Sequence, residues 1–200
     1  MKRLMGCGAV GLVLAALIGG LLIWAISIGN DLVRKQIGVD GAWAQVENVY
    51  QRRADLIPNL VQTVKGAAAF EQSTLQAVIE ARAKATQIVV TPEVLEDPAR
   101  FRQFQQAQGE LTSALSRLLA VAESYPDLKA NRNYLELQSQ LEGAENRIAQ
   151  ERQRFNTAVQ SYNTAIRVFP ASLVARVRGF QAKPFFESDA GAAKVPEVKF

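Results

Sequence analysis

Residues 134–169 read, in sevens, YLELQSQ LEGAENR IAQERQR FNTAVQS YNTAIRV F, and every block opens on an aromatic or aliphatic residue. Tyr134, Leu141, Ile148, Phe155, Tyr162 and Phe169 therefore recur at a strict interval of seven. Three and four positions later come Leu137, Ala144, Ala158, Val159, Ala165 and Ile166, with Glu151 as the one charged residue in the third position. An apolar stripe of this period is what one face of a helix presents to its neighbours, and it predicts packing of the coiled-coil type.

Working outward, the same signal returns upstream. Phe101, Phe104, Gln108, Leu111, Leu115, Leu118, Ala122 and Tyr125 alternate steps of three and four. Trp43, Val46, Val49 and Tyr50 mark one further helix, and Leu60, Val64, Ala68, Leu75, Val78 and Ile79 another. Breaks are expected at prolines, which lack an N–H and push the preceding residue out of helical geometry. Pro58, Thr91-Pro92, Asp97-Pro98, Tyr125-Pro126-Asp127 and Phe169-Pro170 supply them. The expectation is an all-α fold, with helices near 30–56, 58–88, 98–125 and 127–168 forming an antiparallel up-and-down four-helix bundle. No stretch alternates apolar and polar residues for long enough to read as a strand.

The N-terminus is of another kind. From Leu4 to Gly29 there is no charge, and Ser27 is the only polar side chain apart from the thiol of Cys7. These 26 residues exceed the roughly 20 needed to cross the hydrocarbon of a bilayer. Trp24 lies near the far end, where an indole suits the headgroup level. The run is too long for the core of a cleaved signal peptide, and no small-residue cleavage site follows it. Leu4-Met5-Gly6-Cys7 looks like a lipobox, but its apolar stretch follows the cysteine instead of preceding it. The domains expected are thus a transmembrane anchor over 1–29, a helical bundle over 30–170, and a basic aromatic segment with an extended tail over 171–200.

Within the anchor Cys7, Gly11, Ala15 and Gly19 recur every four residues, a small-residue strip that suits self-association of membrane helices. From Ser172 to Phe186 no acid occurs. There Arg176, Arg178 and Lys183 are interleaved with Phe180, Phe185 and Phe186. Such a segment suits contact with a membrane surface or a partner; the plainer reading folds it back onto the bundle with its phenylalanines as core.

Composition leaves little room for catalysis. The 200 residues contain no histidine, which removes the commonest general base and metal ligand together. Cys7 is the only cysteine. Glu142 with Glu145, and Glu110, are poor metal candidates and are expected to pair with Arg117, Arg147 or Arg152. Gly6, Gly8 and Gly11 match a dinucleotide fingerprint inside the apolar run, where no strand precedes them. Setting aside Lys2 and Arg3, 21 basic residues face 19 acidic ones, too even a balance for a nucleic-acid surface. No catalytic residue, metal or cofactor is expected.

Several segments together resemble the LemA family of bacteria. They are Ala42-Trp43-Ala44-Gln45-Val46, Arg52-Arg53-Ala54-Asp55-Leu56-Ile57-Pro58-Asn59-Leu60-Val61 and Val64-Lys65-Gly66. Further on come Leu115-Ser116-Arg117-Leu118, Glu123 to Asn131, Glu145-Asn146-Arg147-Ile148, Phe155-Asn156, Tyr162-Asn163 and Phe169-Pro170. The resemblance implies an N-terminal membrane helix followed by an up-and-down bundle, and no known catalytic activity. It departs after Gly66, where members often carry Tyr and His-Glu and this chain has Ala67 and Phe70-Glu71.

The function expected is a non-catalytic, membrane-anchored scaffold of the bacterial cell envelope. It would self-associate and organise or shape the membrane, with lipid and further copies of itself as partners. The alternative is an adaptor or regulator whose bundle docks a membrane protease or signalling protein. Lys2 and Arg3 before the anchor, against Arg34 and Lys35 beside Asp31 and Asp40 after it, tilt the expectation toward a single-pass inner-membrane protein with its bundle outside the cytoplasm.

Overall fold

A computed structural model describes residues 2–66, 71–88 and 91–187, with side chains from Leu12 onward except that of Pro92. All regular structure among these residues is helical. Helix α1 spans Lys2–Lys65, α2 Gln72–Gln87, α3 Pro98–Ala122, α4 Pro126–Lys129, α5 Arg132–Arg167 and α6 Ala171–Arg178; a single 3-10 turn, Pro92–Leu95, lies between α2 and α3. The expected all-α bundle is the fold observed.

Helix α1 corrects one expectation: it continues through Pro58 instead of ending before it and restarting. A proline there leaves the carbonyl of Ala54 without its helical donor. That carbonyl instead accepts from Arg82 Nε on α2 at 2.8 Å. Continuing the helix has a consequence for the core. Trp43, Val46, Tyr50, Arg53, Ile57, Leu60 and Val64 become one unbroken stripe of alternating threes and fours, and all seven are buried. Helix α1 ends at Lys65 and α2 begins at Gln72, so Leu60 and Val64 belong to α1 while Leu75 and Val78 belong to α2. Ala68 lies outside the described residues, and Ile79 is exposed.

The other ends follow local chemistry. Asp97 caps α3, accepting from the N–H groups of Ala99 and Arg100, and Pro98 takes the first helical position, where no N–H is needed. Asn131 Oδ1 accepts from the N–H groups of Asn133 and Tyr134 at 2.9 and 3.3 Å, starting α5 afresh after the short α4. The helix expected over 127–168 is therefore two. Phe169 falls beyond the last turn of α5 and is 76% exposed, so the seven-residue stripe ends at Tyr162 and Ile166. Gly179 closes α6 at φ 74°, a left-handed conformation that glycine adopts without penalty.

The chain divides into two compact units, one of Met1–Asp40 with Ala158–Ala182, the other of Gly41–Thr157 with Lys183–Phe200. In the larger unit, Trp43 and Arg53 of α1 meet Phe155 and Glu145 of α5 in reverse order, so these helices are antiparallel. Trp43 and Tyr50 meet Phe101 and Phe104 of α3, and Arg53 meets Gln108, in rising order, so α1 and α3 are parallel. Its core has an aliphatic part around Ile57, Leu60, Val78, Leu115 and Leu118 and an aromatic part around Trp43.

In the smaller unit Leu32, Val39, Val159, Tyr162, Ile166 and Ala175 are buried. Tyr162 donates to the carbonyl of Gln181 at 3.0 Å and meets Phe180 edge-on. By contrast, the large apolar residues from Leu12 to Ile26 are exposed. Among the described residues, α1 is the one helix long and apolar enough to cross a membrane.

Candidate functional site

The most concentrated polar chemistry in the larger unit centres on Arg53. Its position in the α1 stripe turns the guanidinium into the core, where it is 1% exposed. Nη1 donates to Thr112 Oγ1 at 2.7 Å and to Glu145 Oε1 at 2.6 Å. Nη2 donates to Gln108 Oε1 at 2.5 Å and reaches the Gln108 carbonyl at 3.4 Å. The cation also lies 5.2 Å from the centre of the Tyr50 ring. A cavity of about 420 Å³ opens beside it, lined by Tyr50, Gln108, Thr112, Ser113, Glu145 and Arg152 among others.

Chemically this is an anchoring cation. A guanidinium presents a fixed fork of donors, and here the fork joins α1 to α3 and α5 at one register. Glu145, expected to pair with Arg117, Arg147 or Arg152, pairs with Arg53 instead. Glu110 lies 3.5 Å from Lys84, and Glu142 accepts from Gln138. Among the described residues no three Asp, Glu or Cys side chains cluster as metal ligands would. Arg53 was missed as a site residue, although its spacing of three from Tyr50 and four to Ile57 is the signal that finds it.

The residues from Arg176 to Phe186 divide between the two units. Arg176 and Arg178 are exposed on α6, and Phe180 packs against Tyr162 in the smaller unit. In the larger unit Phe186 is buried, 6.0 Å from Trp43 and 5.0 Å from Phe101 between ring centres. Asn156 holds its backbone from both sides, donating to the Phe186 carbonyl at 3.0 Å and accepting from its N–H at 2.9 Å. Arg152 stacks over the ring at 4.7 Å and donates to the Glu187 carbonyl. Lys183 is buried, 3.8 Å from Glu96, while Phe185 is exposed.

Of the small-residue strip, Cys7 and Gly11 lie outside the residues whose side chains are described. Ala15 is exposed, and a Cβ added at Gly19 would meet nothing within 4 Å.

Burial, with a smaller push from Asp40, holds the Tyr162 phenol above its ordinary pKa. Burial and then Glu123 do the same for Tyr134. Both phenols are neutral at physiological pH; that of Tyr162 is hydrogen-bonded to Gln181, whereas the buried hydroxyl of Tyr134 has no hydrogen-bond partner among the described residues.

Arg53, Pro58 and the stripe around them lie in the segment on which the family resemblance is most specific. The model of the LemA family matches residues 42–200. The chain belongs to the LemA family. Among its relatives, the magnetosome protein MamQ of Magnetospirillum gryphiswaldense is 27% identical over 209 residues, covering 94% of this chain and 77% of that protein. MamQ 2 of Paramagnetospirillum magneticum is 27% identical over 79% of this chain and 64% of its own length. Protein LemA of Metamycoplasma hominis is 26% identical over 74% of this chain and 63% of its own. The alignments thus span less than two thirds of the last two relatives. LemA membership and the exposed apolar run fit a membrane-associated, single-pass protein.

Proposed function

We propose that the chain is a non-catalytic scaffold of the bacterial cell envelope, anchored in the inner membrane by the first part of α1, which self-associates and organises or shapes the membrane. The observation that carries this reading is α1 itself. One helix of 64 residues bears both the apolar run, with its large residues exposed, and a buried stripe of the bundle. Exposed apolar side chains in such number need a hydrocarbon environment or other apolar partners. Ala15 and the open face of Gly19 suit close approach of a second copy. A relative named as a magnetosome protein supports a part in building a cellular structure.

The bundle stands outside the cytoplasm in this reading, from the placement of Lys2 and Arg3. Chemical crosslinking of the full chain in native membranes tests self-association: ladders of dimers and higher species are expected, and monomers alone refute it. Protease protection of the bundle in sealed vesicles tests its side.

A second reading has one observation in its favour. Ile79 on α2 and Leu135 on α5 are exposed apolar residues, as an adaptor docking a membrane protease or signalling protein would need. Single exposed apolar residues are common on any surface. A pull-down returning only the protein itself counts against the adaptor.

A further inference from the structure

Within the smaller unit, α6 lies alongside the end of the apolar run. Leu22, Ala25, Ile26 and Asn30 of α1 form one wall of a groove of about 460 Å³, and Leu173, Val174, Val177 and Arg178 of α6 form the other. This neighbourhood fixes the depth of α6. If Leu22 and Ile26 stand in hydrocarbon, the residues facing them across the groove stand at the same level. Large apolar side chains stand exposed on α6 in keeping with that: Val177 is 87% exposed and Leu173 58%, and Val168 and Phe169 just before the helix are exposed too.

Charge marks the boundary. The apolar run ends at Gly29, and Asp31 is the first charged residue beyond it. The Arg178 guanidinium lies so close over Gly29 that a Cβ there would collide with it. Arg178 thus sits where hydrocarbon gives way to headgroups, Arg176 is on the same helix, and no acid occurs from Ser172 to Phe186. A short helix with apolar residues toward lipid and arginines at the headgroups is the pattern of an interfacial helix.

We infer that α6 is embedded in the membrane interface and that the groove between α1 and α6 binds a phospholipid, its acyl chain against Leu22, Ile26 and Val177 and its phosphate on the Arg178 guanidinium. The inference rests on the reading of the apolar run as the membrane span. Continuity of the groove with that run and the charge complementarity of arginine and phosphate favour lipid over a protein partner.

The test uses the full chain, with Cys7→Ser, in nanodiscs of phosphatidylcholine and phosphatidylglycerol. Spin labels are placed at Leu17→Cys, Val177→Cys and Ile79→Cys, and their exposure to oxygen and to a water-soluble nickel chelate is measured. Expected is a label at 177 that, like that at 17, meets oxygen and escapes nickel, while that at 79 meets nickel. A label at 177 that behaves like that at 79, with 17 still shielded, overturns the inference and leaves the membrane span standing. Nickel access at 17 as well refutes the span itself. Disulfide dimers through Val177→Cys would assign the groove to a second copy and overturn lipid binding.

Binding of fluorescent phosphatidylglycerol to the detergent-solubilised chain tests the headgroup contact. Arg178→Gln should weaken it about fivefold, the effect of one charge near an anionic surface, and Arg178→Lys should restore most of it. Equal binding by Arg178→Gln and the parent overturns the phosphate assignment.

Discussion

Leu12 to Ile26 and Val39 to Val64 are stretches of one helix, yet they treat apolar side chains in opposite ways. In the first, large residues occur all round the helix and are exposed. In the second they fall on one stripe at alternating threes and fours and are buried, with a single cation, Arg53, admitted among them. Apolar content alone does not decide what a helix packs against; angular distribution does. A stripe finds protein, whereas an apolar surface on every side calls for a nonpolar solvent.

The most damaging way to break the contrast is to place charge in the first stretch. Leu17→Arg with Leu21→Arg should strip the chain from membranes, because each arginine near the middle of a span costs about 2.5–3.5 kcal/mol on insertion scales. The fraction resisting alkaline carbonate extraction reports it, and unchanged retention would show that the run is not the anchor.

The second stretch is tested by removing its cation. Arg53→Ala should destabilise the bundle by about 3 kcal/mol, since Glu145, Gln108 and Thr112 lose their shared donor and a cavity is left. Denaturant unfolding in detergent measures this. Arg53→Met, which keeps the volume, should lose less, and a wild-type midpoint for Arg53→Ala would remove the anchoring role.

Pro58 offers a finer test. Arg82→Ala leaves the Ala54 carbonyl without a donor and should cost about 1–2 kcal/mol. In a Pro58→Ala background the restored N–H serves that carbonyl, so the cost of Arg82→Ala should shrink. A double-mutant cycle with no coupling would refute the compensation.

These two stretches also show what could be read from residues alone. The α3 stripe from Phe101 to Ala122 is buried as its spacing implied, and α5 follows its sevens from Tyr134 to Tyr162. Both depend on local periodicity, which a sequence displays directly. The break expected at Pro58 depended on whether the freed carbonyl finds a donor, and that donor comes from Arg82, on another helix. Assuming a break there hid the stripe that contains Arg53, and with it the polar centre of the bundle. The place of Phe186 was open for the same reason, since Asn156 and Arg152, which hold it, lie 30 and 34 residues upstream. Phe169 extended a true repeat one step past the helix that carried it.

The smallest expected effect concerns pH. Tyr134 and Tyr162 have phenols raised above the ordinary value of about 10. The folded chain holds their protons at a pH where the unfolded chain loses them. Their contribution to stability is therefore present below about pH 10 and fades as pH rises through the folded values. Thermal unfolding of Tyr134→Phe with Tyr162→Phe should show a shallower alkaline decline than the parent. An identical slope would place the alkaline loss elsewhere.

The scaffold reading meets its most direct test in the mass of the full chain in density-matched detergent, determined by sedimentation equilibrium. The account predicts assemblies of two or more copies that Gly11→Leu with Gly19→Leu weakens while leaving the helix content unchanged. A monomer of 21.9 kDa at every concentration would contradict it.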